Sequence, residues 1–235
     1  MVNSALFENF RGGLIVSCQA LENEPLYGAD HMAVMARAAL MGGAVGIRAN
    51  TPQDISAIRA AVPLPIIGLY KQTLPDFEVY ITPTFTSAAE ISRAGADIIA
   101  LDATLRPHPE SKSAADLIHQ IHTRLNRPVL ADIDCLDAAL AASDAGVEAV
   151  STTLSGYTTD SPALSTPDFA LVEVLVKKLS IPVIAEGRFW TLEEVNHAFD
   201  LGAYAVIIGG AITRPQLITK RFVDGIKARK EGRLH

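Results

Sequence analysis

Two short apolar runs of this sequence end in residues able to do chemistry. Pro182 to Ala185 stops at Glu186-Gly187-Arg188, and Tyr204 to Ile208 stops at Gly209-Gly210, with a helix expected to open at Thr213. Glycines placed after a buried strand let the backbone approach a ligand and leave N–H groups free. Followed by a helix N-terminus, they seat a phosphate. Between the two runs, Thr191 and Glu194 fit a capping box, and Leu192, Val195, Ala198 and Phe199 share one helical face. The stretch reads as strand, helix, strand, with a carboxylate at one strand end and a phosphate cradle at the next.

Similar endings recur along the chain. Apolar runs stop at Ser17-Cys18-Gln19, at Arg48, at Lys71, at Asp102, at Asp132 and at Thr152-Thr153. Charged and polar groups at strand ends lose hydration unless they pair or bind something. Singly, each has an ordinary structural explanation: Lys71 as a solvated loop residue, Arg48 as the partner of Asp102 or Asp132, Glu186 as a helix cap. Gathered in one ring over a phosphate cradle, they describe a site. The chemistry that fits is proton abstraction beside a carbonyl in a phosphorylated small molecule. Lys71, crowded by Arg48 and desolvated, is suited to act as a base near neutral pH. Glu186, on another strand, can handle a proton on the opposite face, as an epimerase or isomerase requires. The same lysine can instead form a Schiff base, as in an aldolase, and spacing leaves both open.

The elements that must carry these residues follow a repeat. Gly43, Gly95, Gly146 and Gly202 each precede an apolar strand at intervals of 52, 51 and 56 residues, about two strand–helix units apiece. Interleaved strands begin at Pro65, Pro128 and Pro182, and Gly13 to Ser17 brings the total to eight. Helices are expected near 31–42, 52–61, 87–94, 113–125, 136–145, 167–179, 191–200 and 214–228. Thr51-Pro52 and Thr166-Pro167 supply helix starts, and Ser87 with Glu90 fits a capping box. Eight strands alternating with eight helices predict an α/β fold, a single (β/α)8 TIM barrel with residues 1–235 as one domain. An open doubly wound sheet is the alternative, but it has fewer strands and a glycine-rich first turn, where Ser17-Cys18-Gln19 stands here. Residues 20–30 and 72–84 are longer loops on the side where strands end, and Val79 to Pro83 resembles a short extra strand.

Composition excludes several classes. The 235-residue chain is 49% hydrophobic with a net charge of −6 and scattered Lys and Arg, so no basic patch points to nucleic acid. Cys18 and Cys135 are expected to be free buried thiols in a reducing cytoplasm. No signal peptide and no membrane span is expected. His119 and His122 lack a paired Cys/His set and read as a solvated helix face, so no metal is expected. Neither a nicotinamide or flavin motif nor a nucleophile elbow is present.

On these residues the chain resembles the N-acylmannosamine-6-phosphate 2-epimerases, phosphate-binding TIM barrels of bacterial sialic acid catabolism. The matching motifs are Gly13 to Gln19, Pro65 to Gly68 with Lys71, Ala94 to Asp102, Thr152 to Thr158, Ile184 to Arg188 and Gly210 to Arg214. The resemblance implies a cytoplasmic, cofactor-independent interconversion of N-acetylmannosamine 6-phosphate and N-acetylglucosamine 6-phosphate, and a homo-oligomer, a dimer, is expected. It makes Lys71 and Glu186 catalytic, and Gln19, Arg48, Asp132, Thr153 and Tyr157 substrate contacts. Arg214 and the amides of Gly187, Gly209 and Gly210 become the phosphate site. Relatives commonly read Lys-Arg-Asp where Lys71-Gln72-Thr73 stands here, which removes any salt bridge from that pair. Position 151 is serine where glycine is usual, a change given no functional weight. A Schiff-base lyase and a non-catalytic phosphosugar-binding protein are the alternatives.

Overall fold

The structure, a computed structural model, describes residues 4–110 and 113–230. Eight parallel strands close a barrel in chain order: β1 (Leu14–Cys18), β2 (Gly46–Asn50), β3 (Ile66–Leu69), β4 (Ile98–Asp102), β5 (Val129–Asp132), β6 (Ala149–Ser151), β7 (Val183–Glu186) and β8 (Ala205–Ile208). The intervening helices are α1 (Ala29–Met41), α2 (Pro52–Ala61), α3 (Phe85–Arg93), α4 (Ala114–Gln120), α5 (Leu136–Asp144), α6 (Phe169–Lys178) and α7 (Leu192–Asp200). After β8 come the short α8 (Gly210–Thr213) and α9 (Pro215–Lys230). This is the (β/α)8 barrel that the sequence predicts.

Strand alternation is what builds the site. Side chains at every second position of a barrel strand face the interior. Ile15, Ile67, Ile98, Ala100, Leu130, Ala149, Ile184 and Ala205 form one buried cluster there, closed below by Phe7 and Phe10. Phe10 lies so close that a Cβ added at Gly46 would meet its ring at 2.5 Å. Two residues further along the same strands, the inward positions become Ser17, Arg48, Leu69, Asp102, Asp132, Ser151, Glu186 and Ile207. The pairings Ser17↔Arg48, Asp102↔Asp132 and Asp132↔Ser151 hold most of the polar members at one level. A second cluster, including Ile47, Ile55, Ile99, Val129 and Leu175, packs the outer strand faces against the helices.

Several local expectations change. Val79 to Pro83 is not a strand: only an antiparallel bridge between Lys71 and Ile81 forms, flanked by Gln72 N–H to Tyr80 O at 2.9 Å and Thr82 N–H to Tyr70 O at 2.8 Å. Thr82 adopts φ 46°, which breaks the extended run before Pro83. α3 is capped by Thr84, and Ser87 completes that capping box instead of opening one with Glu90. α6 starts at Phe169, because the Asp168 carboxylate accepts the Leu171 amide at 3.0 Å and outcompetes Thr166 as cap. The Thr51 and Thr191 caps form as expected. The helix expected over 113–125 passes into a π-helical turn at Ile121–Leu125, ended by Asn126 at φ 51°. Cys135 is half-buried rather than buried, and His122 faces Glu148 at 3.2 Å rather than water.

No residue of α9 is buried, and Phe222, Val223 and Ile226 are 70%, 42% and 58% exposed. Among the described residues no helix is long and apolar enough to cross a membrane.

Candidate active site

The polar residues above the apolar barrel interior form one connected network. Arg48 on β2 is 1% exposed and donates two parallel hydrogen bonds to Asp132 on β5, Nη1 to Oδ1 at 2.9 Å and Nη2 to Oδ2 at 2.6 Å. Such a fork-to-fork pair fixes both partners geometrically. Arg48 Nη1 also lies 3.3 Å from Glu186 Oε2 on β7. The Thr153 hydroxyl sits between the two carboxylates, 2.6 Å from Glu186 Oε2 and 2.8 Å from Asp132 Oδ1. Ser151 Oγ is 2.9 Å from Thr153 Oγ1 and 3.4 Å from Glu186 Oε2. The Thr152 hydroxyl clamps the Glu186 backbone, accepting from its N–H at 3.0 Å and donating to its carbonyl at 2.9 Å. Every side-chain contact to the Glu186 carboxylate therefore converges on Oε2. Its Oε1 takes no hydrogen bond among the described residues, and Glu186 lines the cavity above.

Electrostatics in this network favour proton transfer. Burial pushes the Glu186 carboxyl upward; Arg48 opposes the shift and the Asp132 charge adds to it. Lys71 stands at the end of β3, its backbone N–H held by Asn50 Oδ1 at 2.9 Å. Its ammonium has no hydrogen-bond or ion-pair partner among the described residues. Burial and then the Arg48 charge push its pKa down to about 8, against a partial upward pull from Glu186. Lys71 and Glu186 are thus perturbed towards each other, each towards its neutral form.

The two residues share a cavity of about 350 Å³. In a closed eight-stranded barrel β3 and β7 are four strands apart, so Lys71 and Glu186 reach in from opposite sides of the mouth. Gln19, Tyr80, Thr153, Tyr157 and Trp190 complete much of the wall. Gln19 is oriented by its bond to Ser17 Oγ at 2.9 Å. Tyr157 stands at the rim, 59% exposed, with the Arg188 guanidinium 5.2 Å from its ring centroid.

At the β7–β8 end of the cavity lie Gly187, Gly209, Gly210 and Arg214. The amides of the three glycines donate to no protein acceptor among the described residues. Gly187 has φ 112°, a conformation open to glycine at little strain, and a Cβ at Gly209 would press on Ser17 Cβ at 3.3 Å. Thr213 pins this turn to the barrel, its hydroxyl 3.0 Å from the Ser17 carbonyl. Arg214 is aimed by Glu24 from the loop after β1, Nε to Oε1 at 2.7 Å. Glu24 is itself fixed by Gln216 at 3.1 Å and by the Leu21 amide at 2.7 Å.

All the residues singled out in the sequence thus gather at one end of the barrel. Gln19, Lys71, Thr153, Tyr157, Glu186, Gly187, Gly209, Gly210 and Arg214 line the cavity. Arg48 and Asp132 do not; they lie directly behind Glu186 and Thr153. Ser151 turns out to touch Glu186 although its position carried no expected weight. Tyr80 and Trp190 were missed because neither ends a strand. The loop that lacks the Arg-Asp pair is tied back by the Gln72–Tyr80 backbone bond. Among the described residues no cluster of three or more His, Cys, Asp or Glu is arranged to hold a metal.

Comparison with known proteins agrees with this geometry. The profile of the NanE family, "Putative N-acetylmannosamine-6-phosphate epimerase", matches residues 32–228. A Caldanaerobacter subterraneus subsp. tengcongensis protein named "Putative N-acetylmannosamine-6-phosphate 2-epimerase" is 47% identical over 226 residues, 96% of this chain and 95% of that one. A Clostridium perfringens protein of the same name is 49% identical over 217 residues, 92% of this chain and 98% of that one. A solved structure of the N-acetylmannosamine-6-phosphate 2-epimerase from Clostridium perfringens superposes with a TM-score of 0.90 at 48% identity, covering 93% of this chain and 95% of that chain. The thiamine phosphate pyrophosphorylase from Pyrococcus furiosus, at 16% identity and a TM-score of 0.59, shares the fold alone. With a profile spanning most of its length and relatives near half identity over nearly all of it, the chain belongs to the N-acetylmannosamine-6-phosphate epimerase family.

Proposed function

We infer that this protein is a cytoplasmic, cofactor-independent epimerase that interconverts N-acetylmannosamine 6-phosphate and N-acetylglucosamine 6-phosphate by removing and returning the proton at C2. One observation carries the reading: Lys71 and Glu186 enter one cavity from opposite strands of the barrel, with free backbone amides and Arg214 at its far end. The phosphate sits on the amides of Gly187, Gly209 and Gly210 and on Arg214. In the ring-opened sugar, the C1 aldehyde acidifies the C2 proton. Neutral Lys71 removes it from one face, and protonated Glu186 delivers a proton to the other. The intermediate is an enolate, whose charge Lys71, now an ammonium, and Gln19 help to hold. The reverse reaction starts from ionised Glu186 and charged Lys71. Both starting forms carry one proton between the two groups, so the enzyme needs no external acid to run either way. Arg48, Asp132, Thr153 and Ser151 keep Glu186 Oε2 fixed and leave Oε1 for the substrate. In deuterated water the protein should place deuterium at C2 of N-acetylmannosamine 6-phosphate and yield the second epimer. Equal exchange in the unphosphorylated sugar contradicts the phosphate site.

The shared proton gives a pH profile. Above about pH 8, the value to which Lys71 is pushed down, the second proton leaves and the pair is fully deprotonated. We predict that kcat/KM falls tenfold per pH unit on that side, since it reports the free enzyme's ionisations. On the acid side it falls as Glu186 and Lys71 both become protonated, through a carboxyl pKa raised above its ordinary value. A profile flat from pH 7 to pH 10 removes Lys71 as the titrating base.

A dimer accounts for α9, whose apolar side chains Phe222, Val223 and Ile226 have no cover in the single chain. Sedimentation equilibrium should give twice the 25.0 kDa chain mass, and Phe222→Glu should lower it towards one. A wild-type mass of one chain contradicts this assembly.

A further inference from the structure

Tyr80 stands in the wall of the active-site cavity with no part in the chemistry described so far. Its place is set by its neighbours. Val79 and Ile81 are buried, and the run is extended where the Lys71–Ile81 bridge and the Gln72–Tyr80 backbone bond form. Side chains alternate along an extended run, so Tyr80 is turned the opposite way, into the cavity. A second clamp holds the same loop: Arg106 donates to the Glu78 carbonyl at 3.4 Å and to Asp102 Oδ2 at 2.8 Å. The ring is therefore positioned before any ligand arrives.

The Tyr80 hydroxyl makes no hydrogen bond among the described residues. Burial, and then the Asp132 and Asp102 charges, push its pKa up to about 12, against Arg48 and Arg106. The phenol keeps its proton across the range in which Lys71 titrates, so it is available as a donor and not as a base. Asp102 and Asp132 end β4 and β5, which lie between β3, followed by Lys71, and β7, ending in Glu186. A hydroxyl on that side approaches the reacting carbon at its edge and leaves both faces to the two proton carriers.

The direction of the substrate says what the hydroxyl meets. This step rests on the epimerase reading. The phosphate end lies between β7 and β8, and in a closed eight-stranded barrel the point across from it lies between β3 and β4, whose connecting loop carries Tyr80. With C6 anchored at the phosphate and C2 between Lys71 and Glu186, the free end of the open sugar, C1 with its oxygen, is directed at that far side. When Lys71 takes the C2 proton, the C2–H electron pair forms the C1–C2 double bond and the carbonyl pair moves onto O1. Charge thus develops at the end of the sugar that faces Tyr80. A donor held there binds the transition state more tightly than the aldehyde.

We propose that Tyr80 is a further catalytic residue, whose hydroxyl donates a hydrogen bond to O1 of the enolate while keeping its own proton.

The test uses N-acetylmannosamine 6-phosphate deuterated at C2, which makes bond cleavage the slow step, with wild type and two altered proteins. Tyr80→Phe removes the hydroxyl, keeps the ring and orphans no protein group. We expect its kcat to fall about a hundredfold, the usual cost of one oxyanion donor, with KM within about threefold of wild type. The second protein carries 3-fluorotyrosine at position 80, a phenol of nearly the same shape but more acidic. It remains protonated at pH 7 and donates more strongly, so its kcat should exceed that of wild type. A Tyr80→Phe kcat within about threefold of wild type overturns the proposal and leaves the epimerase intact. A slow Tyr80→Phe beside a 3-fluorotyrosine protein no faster than wild type also overturns it, because the hydroxyl then acts through packing. A wild-type protein that leaves the sugar unchanged overturns the epimerase reading, and the role of Tyr80 with it.

Discussion

Lys71→Met is expected to lower kcat for epimerisation at least about a hundredfold, the usual contribution of a positioned acid–base group. The substitution should leave the fold intact, because the Lys71 ammonium has no protein partner that its loss would orphan, and its backbone contacts to Asn50 and Ile81 are kept. Stability supplies a second readout with a definite sign. The Lys71 pKa is lower in the folded protein than in the unfolded chain, so between about pH 8 and the ordinary lysine value the unfolded chain binds more protons. Folding is therefore penalised by this residue below about pH 8, and the penalty fades as pH rises. Lys71→Met should accordingly raise Tm at pH 7 and change it little at pH 10. An inactive variant that is also destabilised at pH 7 would indicate a structural role for the lysine.

Glu186→Gln should also lower kcat about a hundredfold. Here the network must survive for the result to be read. Asp132 continues to hold Arg48 through both guanidinium nitrogens, and Thr153 can donate to the amide oxygen of the substituted side chain, so no buried charge is left unpaired. Only the ability to carry a proton is removed. With Lys71 as the one remaining base, residual proton removal should rise with pH through the lysine pKa. That pKa moves below its wild-type value of about 8 once the Glu186 charge that pulls it up is gone, and the alkaline fall of the wild type should disappear. A Glu186→Gln enzyme within a few-fold of wild type would mean that the carboxylate only orients a substrate hydroxyl.

How much of this is legible in the sequence depends on which physical rule writes each feature. The barrel is readable because each strand announces itself, by a helix-ending glycine such as Gly95 or a leading proline such as Pro128. The site ring is readable because position two after an inward apolar residue is again inward: Ile184 points to Glu186, and Leu130 to Asp132. What the strand pattern does not encode is which neighbours a strand-end residue selects. Arg48 has two candidate carboxylates, and the register that opposes Asp132 to Ser151 beside Thr153 decides for Asp132. Loop residues are harder still. Tyr80 reaches the cavity because of a single bridge between Lys71 and Ile81 and a turn at Thr82, neither of which has a periodic signature. Ser151 looks like an innocuous exchange, and only its distance to Glu186 gives it a role. The cap of α6 goes to Asp168 rather than Thr166 because Asp168 also accepts the Ser155 hydroxyl at 2.6 Å, a contact from a distant loop.

The central claim is that Lys71 and Glu186 each serve one face of the same carbon. It is tested most directly by incubating each epimer separately in deuterated water with Lys71→Met and with Glu186→Gln, following C2 by NMR and trapping parallel samples with borohydride. Each variant keeps one of the two bases. Glu186→Gln should therefore wash deuterium into one epimer without inverting it, and Lys71→Met should do so only with the other epimer. Borohydride should leave the mass of the wild-type protein unchanged under saturating substrate. Exchange of both epimers by Glu186→Gln would make Lys71 the base for both faces, and a reduced adduct on Lys71 would replace the proton-transfer mechanism with Schiff-base chemistry.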